Sequence, residues 1–179
     1  MKRTSEAVLI FCVMLMTAVA LQAQMTPQTP APELKKLDFM AGNWTAAGTM
    51  SMGPGTPTSK WTTNSHAQWM DGNFFLVQSS DMDLGPMGKG KDVAYFGYDA
   101  EKKVYTYRAF NSWGEAEDST GTVDGDTWTW LADEHMNGQT MKGRYTMKVL
   151  SPTSYTMKYE LSQDGTNWMT GMEGKATKK

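Results

Sequence analysis

The sequence predicts an all-β fold, an antiparallel up-and-down barrel of about ten strands with a short N-terminal capping helix. Two stretches near the C-terminus have a period of two, Asp-Gly turn signals recur along the chain, and no helical stretch is long enough to carry a crossover between parallel strands. A sandwich is the other arrangement open to such a pattern. A barrel is preferred because a long meander leaves two unpaired edges, and closing the sheet removes them.

The chain has 179 residues, a length suited to one domain. Its start reads as a targeting segment. Lys2 and Arg3 precede an apolar run from Ala7 to Leu21, and Leu21-Gln22-Ala23 supplies a small residue at the cut. This is the pattern of a secretory signal peptide over residues 1–23. The run is shorter than the about 20 apolar residues that span a bilayer, so a retained anchor is the weaker reading. Residues 24–31 carry two prolines without periodicity and read as a flexible leader. The single barrel domain is expected over 32–179, in an exported protein, periplasmic or secreted.

Cysteine usage fits export. The one cysteine, Cys12, lies within the signal segment, so the mature chain has no thiol and no disulfide. With 17 basic and 19 acidic residues the chain carries −2, a balance that lacks the basic footprint of nucleic-acid binding.

From Pro32 the elements follow in order. Pro32 to Met40 reads as the short helix that caps one end of the barrel. Gly42-Asn43-Trp44 opens the first strand, with Gly42 allowing the chain to bend and Trp44 read as a structural residue that buries apolar area. Trp61 and Trp69 share a face of the second strand, with Thr63, Ser65 and Ala67 between them. Turns follow at Asp71-Gly72, Asp99 to Lys102, Asp124-Gly125-Asp126 and Asp164-Gly165. Trp128 and Trp130 share a face of a later strand. Met141, Gly143, Tyr145, Met147 and Val149 then alternate with Lys142, Arg144, Thr146 and Lys148, one face apolar and the other wet. Tyr155, Met157, Tyr159 and Leu161 repeat this after the turn Ser151-Pro152-Thr153, which makes a hairpin.

Leu37 to Gly48, the Gly53 to Gly55 loop, Trp69 to Leu76, Gly97-Tyr98-Asp99 and Asp124 to Trp128 appear in an order that resembles domain-of-unknown-function family 1579, DUF1579. The resemblance covers nearly all of the mature chain. That family is similar to the calycin superfamily of lipocalins, fatty-acid-binding proteins and nitrobindin-like proteins, which implies a barrel with an internal cavity. A nitrobindin-like barrel would bind haem through a histidine late in the chain. The last strand here reads Asn167-Trp168-Met169-Thr170-Gly171-Met172, so no haem or other cofactor is expected. His66 and His135 read as solvated surface residues, with no second histidine at ligand spacing.

The candidate cavity lining is aromatic: Trp61, Trp69, Trp128, Trp130 and Tyr145. Small polar residues between these rings suit a half-polar cavity for a small apolar or amphipathic ligand. The competing reading is a filled barrel that acts as a structural or interaction module. Arg108 is the candidate partner for a ligand carboxylate, with Asp118 as a buried counterpart. Two orientations stay open, because Arg108 faces inward with Val104, Thr106 and Phe110 or else Tyr105 and Tyr107 do. Thirteen of the sixteen methionines follow residue 23, and thioethers are soft ligands for Cu(I). Methionine also fills irregular interiors, and Met169 and Met172 are expected on opposite faces of the last strand, so no metal site is assigned. No nucleophile elbow, phosphate loop or zinc-protease motif occurs, and the acid pairs Asp81/Asp83 and Glu115/Glu117 read as solvated. No catalytic residue is assigned.

Overall fold

The computed structural model describes residues 28–179 apart from 52, 54 and 137. The signal segment over 1–23 and the first part of the leader lie outside the described residues. Pro32–Met40 forms a nine-residue 3₁₀ helix that starts at a proline, whose fixed φ and missing N–H suit a first helical position. Ten strands follow: β1 (Gly42–Met50), β2 (Ser59–Trp69), β3 (Leu76–Asp83), β4 (Lys89–Asp99), β5 (Val104–Asn111), β6 (Ala116–Asp124), β7 (Thr127–Met136), β8 (Gln139–Ser151), β9 (Ser154–Ser162) and β10 (Met169–Lys178). Each pairs antiparallel with its neighbour in sequence, and β1 pairs with β10 to close the barrel.

The fold is thus the all-β, up-and-down barrel that the alternation and turn signals imply. Asp71-Gly72, Asp124-Gly125-Asp126 and Asp164-Gly165 all fall at strand junctions. Ser151 pairs with Ser154 across the tight turn joining β8 to β9.

Closure depends on small residues at the seam. Gly48 of β1 faces Gly174 of β10. A Cβ at Gly48 would lie 1.9 Å from the Glu173 carbonyl oxygen, and one at Gly174 would lie 2.5 Å from the Trp61 ring. Only glycine admits this approach of two backbones under an indole.

The capping helix is gripped from four strands. Trp44 Nε1 donates to the Met40 carbonyl at 2.8 Å, Lys178 Nζ to the Phe39 carbonyl at 3.1 Å, Tyr105 OH to the Glu33 carbonyl at 2.9 Å, and Trp69 Nε1 to Asp38 Oδ1 at 3.0 Å. Leu34, Leu37 and Met40 are buried by the same packing. Gly42 follows the helix at φ +117°, where an added Cβ would meet the Lys178 side chain. The bend into β1 and the docking of Lys178 over Trp44 therefore use the same space.

β10 departs from simple alternation. Met169 pairs with Leu161 and Met172 with Tyr159, with a bulge between Thr170 and Met172. Leu161 and Tyr159 share one face of β9, so the bulge at Gly171 brings Met169 and Met172 to the same side of the sheet. The expectation of opposite faces fails because it assumed an unbroken ladder.

Candidate functional site

The barrel interior has two zones. Near the cap it is filled by rings and aliphatic side chains. Trp128 lies 6.1 Å from Phe39 between ring centroids and stacks on Trp130 at an interplanar angle of 12°. Further along the strands, bounded at the cap end by Met40, the side chains leave a cavity of ≈ 240 Å³. That exceeds the about 150 Å³ of an apolar cavity able to take up benzene.

Apolar walls make up most of the cavity. Trp61, Phe96, Trp130, Tyr145 and Tyr155 line it, with Met147, Met157 and Met172 filling the spaces between rings. Trp130 can lie flat against the wall because β6 offers Gly121 beneath it, where a Cβ would be 2.4 Å from the indole. Phe96 meets Trp130 edge-on at 5.7 Å and 71°, a favoured aromatic geometry.

One part of the wall is polar and acidic. Asp92 of β4 and Glu117 of β6 line the cavity together with Ser80 and Ser119. Burial, helped by the negative charge of Glu134, pushes the Glu117 carboxyl up to about 7. Burial raises Asp92 as well. Glu134 accepts a hydrogen bond from Tyr159 OH at 2.9 Å, and burial with the Glu134 charge holds the Tyr159 phenol far above its ordinary range. Gly143 leaves room for Glu134, since a Cβ there would lie 2.7 Å from the carboxylate. Among the residues that line the cavity, none is basic.

The structure sorts the sequence candidates. Trp61, Trp130 and Tyr145 are brought together on the cavity wall. Trp69 and Trp128 lie below it in the packing against the cap. Trp44 is buried beneath the cap, 5.0 Å from Tyr155 between ring centroids. Arg108 is corrected: it lies on the outer face with a side chain 72% exposed, 2.7 Å from an equally solvated Asp118. Tyr105 and Tyr107 take the inward positions of β5, because the buried residues of that strand are Tyr105 and Ala109. His66 and His135 are both exposed, bonded to Asn43 Oδ1 and Thr140 Oγ1.

The acidic wall went unread. Glu117 was expected in water, yet it alternates inward with Ser119, Gly121 and Val123 while Asp118 and Thr120 face out. The available signal was parity, which places Glu117 on the face shared with Val123. Asp92 carried a similar signal through Ala94 and Phe96 of its own strand.

The family described as "Protein of unknown function (DUF1579)" matches residues 29–178. No curated protein matches the sequence. Among solved structures, the chain is similar to Rv2717c from M. tuberculosis, with a TM-score of 0.60 at 13% identity, covering 84% of this chain and 99% of that one. It is also similar to the S-type phycobiliprotein lyase CPES from Guillardia theta, with a TM-score of 0.56 at 11% identity, covering 81% and 91%. At these identities the likeness is one of fold.

Proposed function

This chain belongs to the DUF1579 family, and from that premise we propose that it takes up a small amphipathic molecule in the interior of its barrel. The observation that carries the reading is the ≈ 240 Å³ cavity walled mostly by rings and thioethers, with polar side chains contributed by β2, β3, β4 and β6. Apolar area on a ligand of one or two rings gains about 25 cal/mol per Å² when it leaves water. The polar part of the wall then fixes which end of the ligand lies where. A filled barrel would offer no such space.

A neutral probe tests this without regard to charge. Titrating the isotope-labelled chain with 1-naphthalenemethanol is expected to move the indole N–H resonances of Trp61 and Trp130 and to leave that of the exposed Trp113 unmoved. Interior resonances that stay fixed at millimolar probe would overturn the proposal.

Export belongs to the same reading. Lys2-Arg3, the Ala7 to Leu21 run and Ala23 support cleavage after Ala23, and no cysteine follows Cys12. Expression in a bacterium with an intact secretion pathway is expected to give a protein whose first residue is Gln24. N-terminal sequencing that finds Met1 would count against it.

A further inference from the structure

We propose that the cavity selects ligands with a cationic end, an organic amine on an aromatic or apolar body, which seats its ammonium among Asp92, Glu117 and Ser119. This rests on the cavity reading above and specifies its ligand class. Two independent observations point the same way. The carboxylates of Asp92 and Glu117 come from different strands onto the same cavity, and no basic side chain lines it. Ser119 is only 7% exposed and lines the cavity near Glu117, and among the described residues its Oγ meets no partner in full hydrogen-bond geometry. Asp92 Oδ1 is a second buried acceptor without a partner.

Such groups are costly to bury. An unpaired carboxylate or hydroxyl loses its water without compensation. A ligand ammonium supplies the missing half, with up to three N–H donors for acceptors that have none and a positive charge between two carboxylates. A ligand carboxylate placed there would meet like charges in a low-dielectric wall. The cavity therefore discriminates against fatty acids and other anions, and the one arginine considered as an anion partner lies outside, paired with Asp118. The aromatic wall suits the other end of the ligand, since rings also attract a cation that approaches their faces.

The raised Glu117 carboxyl supports this by linkage. A bound cation stabilises the ionised form, so amine binding near neutral pH releases a proton from the protein. The titratable groups facing this carboxyl across the interior are Asp92 of β4, Tyr107 of β5, Glu134 of β7, Tyr145 of β8 and Tyr159 of β9. The phenols stay protonated in this range, because burial raises all three.

Three probes with one ring and different ends test the inference on the purified full chain: 2-phenylethylamine, 2-phenylethanol and 3-phenylpropionate, each titrated by calorimetry at pH 8. The amine is expected to bind about tenfold more tightly than the alcohol, and the carboxylate more weakly than either. Glu117→Gln and Ser119→Ala are each expected to weaken the amine several-fold and the alcohol by less. Lowering the pH from 8 to 6 is expected to weaken the amine wherever Glu117 is present, in the wild-type chain and in Ser119→Ala, and not in Glu117→Gln, as the amine itself stays protonated throughout, as a lysine does. The wild-type titration stands without any variant. If the alcohol or the carboxylate binds as tightly as the amine, cation selection is overturned while uptake into the cavity stands. If none of the three binds and 1-naphthalenemethanol also fails, both readings fall.

Discussion

Glu117 ties the interior to pH. Its carboxyl has an ordinary value of 4.5 and is pushed up to about 7 in the folded barrel, chiefly by burial. Below 4.5 both folded and unfolded chains hold the proton. Between 4.5 and about 7 the folded state keeps a proton that the unfolded state has lost, so stability falls as pH rises through this window. Above it the loss is complete, about 3 kcal/mol at about 1.4 kcal/mol per pH unit. Asp99, Asp133 and Asp164 are shifted the other way, below 3.8, and give up their stabilisation only under more acidic conditions. Urea unfolding is therefore expected to show Glu117→Gln gaining about 3 kcal/mol over the wild-type chain at pH 8 and little at pH 5. An equal difference at both values would show that Glu117 ionises in the fold as it does in water. Arg108 is the contrasting residue. Its pair with Asp118 is solvated on both sides, so Arg108→Ala is expected to cost under about 1 kcal/mol and to leave probe binding intact.

The capping helix does at the scale of an element what nine residues could not do alone. Nine residues in 3₁₀ geometry have no stability of their own. Their position comes from the four hydrogen bonds reaching up from β1, β2, β5 and β10, and from Leu37, which is fully buried. Leu37 packs in the filled zone and does not line the cavity. Leu37→Ala is thus expected to cost about 2–5 kcal/mol, seen as a fall in the thermal midpoint, with the affinity of the folded fraction for 1-naphthalenemethanol unchanged. A weakened affinity at a temperature where the variant is fully folded would mean that Leu37 also holds Met40 in its place on the cavity wall.

Closure of the barrel is the property of the whole molecule from which both zones of the interior follow, and it marks where the sequence stopped being readable. β8 and β9 are legible because the apolar and charged residues separate cleanly on their two faces, and the Asp-Gly turns announce the junctions. β6 is polar on both faces, with Glu117 and Ser119 on one and Asp118 and Thr120 on the other. Val123, at the far end of the strand, is the one local mark of the face that the other nine strands enclose. β5 posed the same problem for Arg108, and the Gly171 bulge defeated the counting in β10. The glycines at the seam decide closure itself. Gly48 and Gly174 let β1 and β10 approach while Trp61 donates from beneath to the Thr49 and Glu173 carbonyls at 3.1 and 3.2 Å. A side chain at either glycine must displace backbone or the indole. Gly174→Val is therefore expected to part the seam, exposing two strand edges that pair with other chains, at a cost of at least about 3 kcal/mol. Size-exclusion chromatography should find the variant in aggregates, with the interior Trp61 and Trp130 indoles newly accessible to an aqueous quencher. Ala47→Val is the control, since Ala47 sits beside Gly48 on the exposed face of β1, across the same seam, and should leave both measurements as they were. A monomeric Gly174→Val with protected tryptophans would mean that the barrel is held shut by something other than the close approach of these two strands.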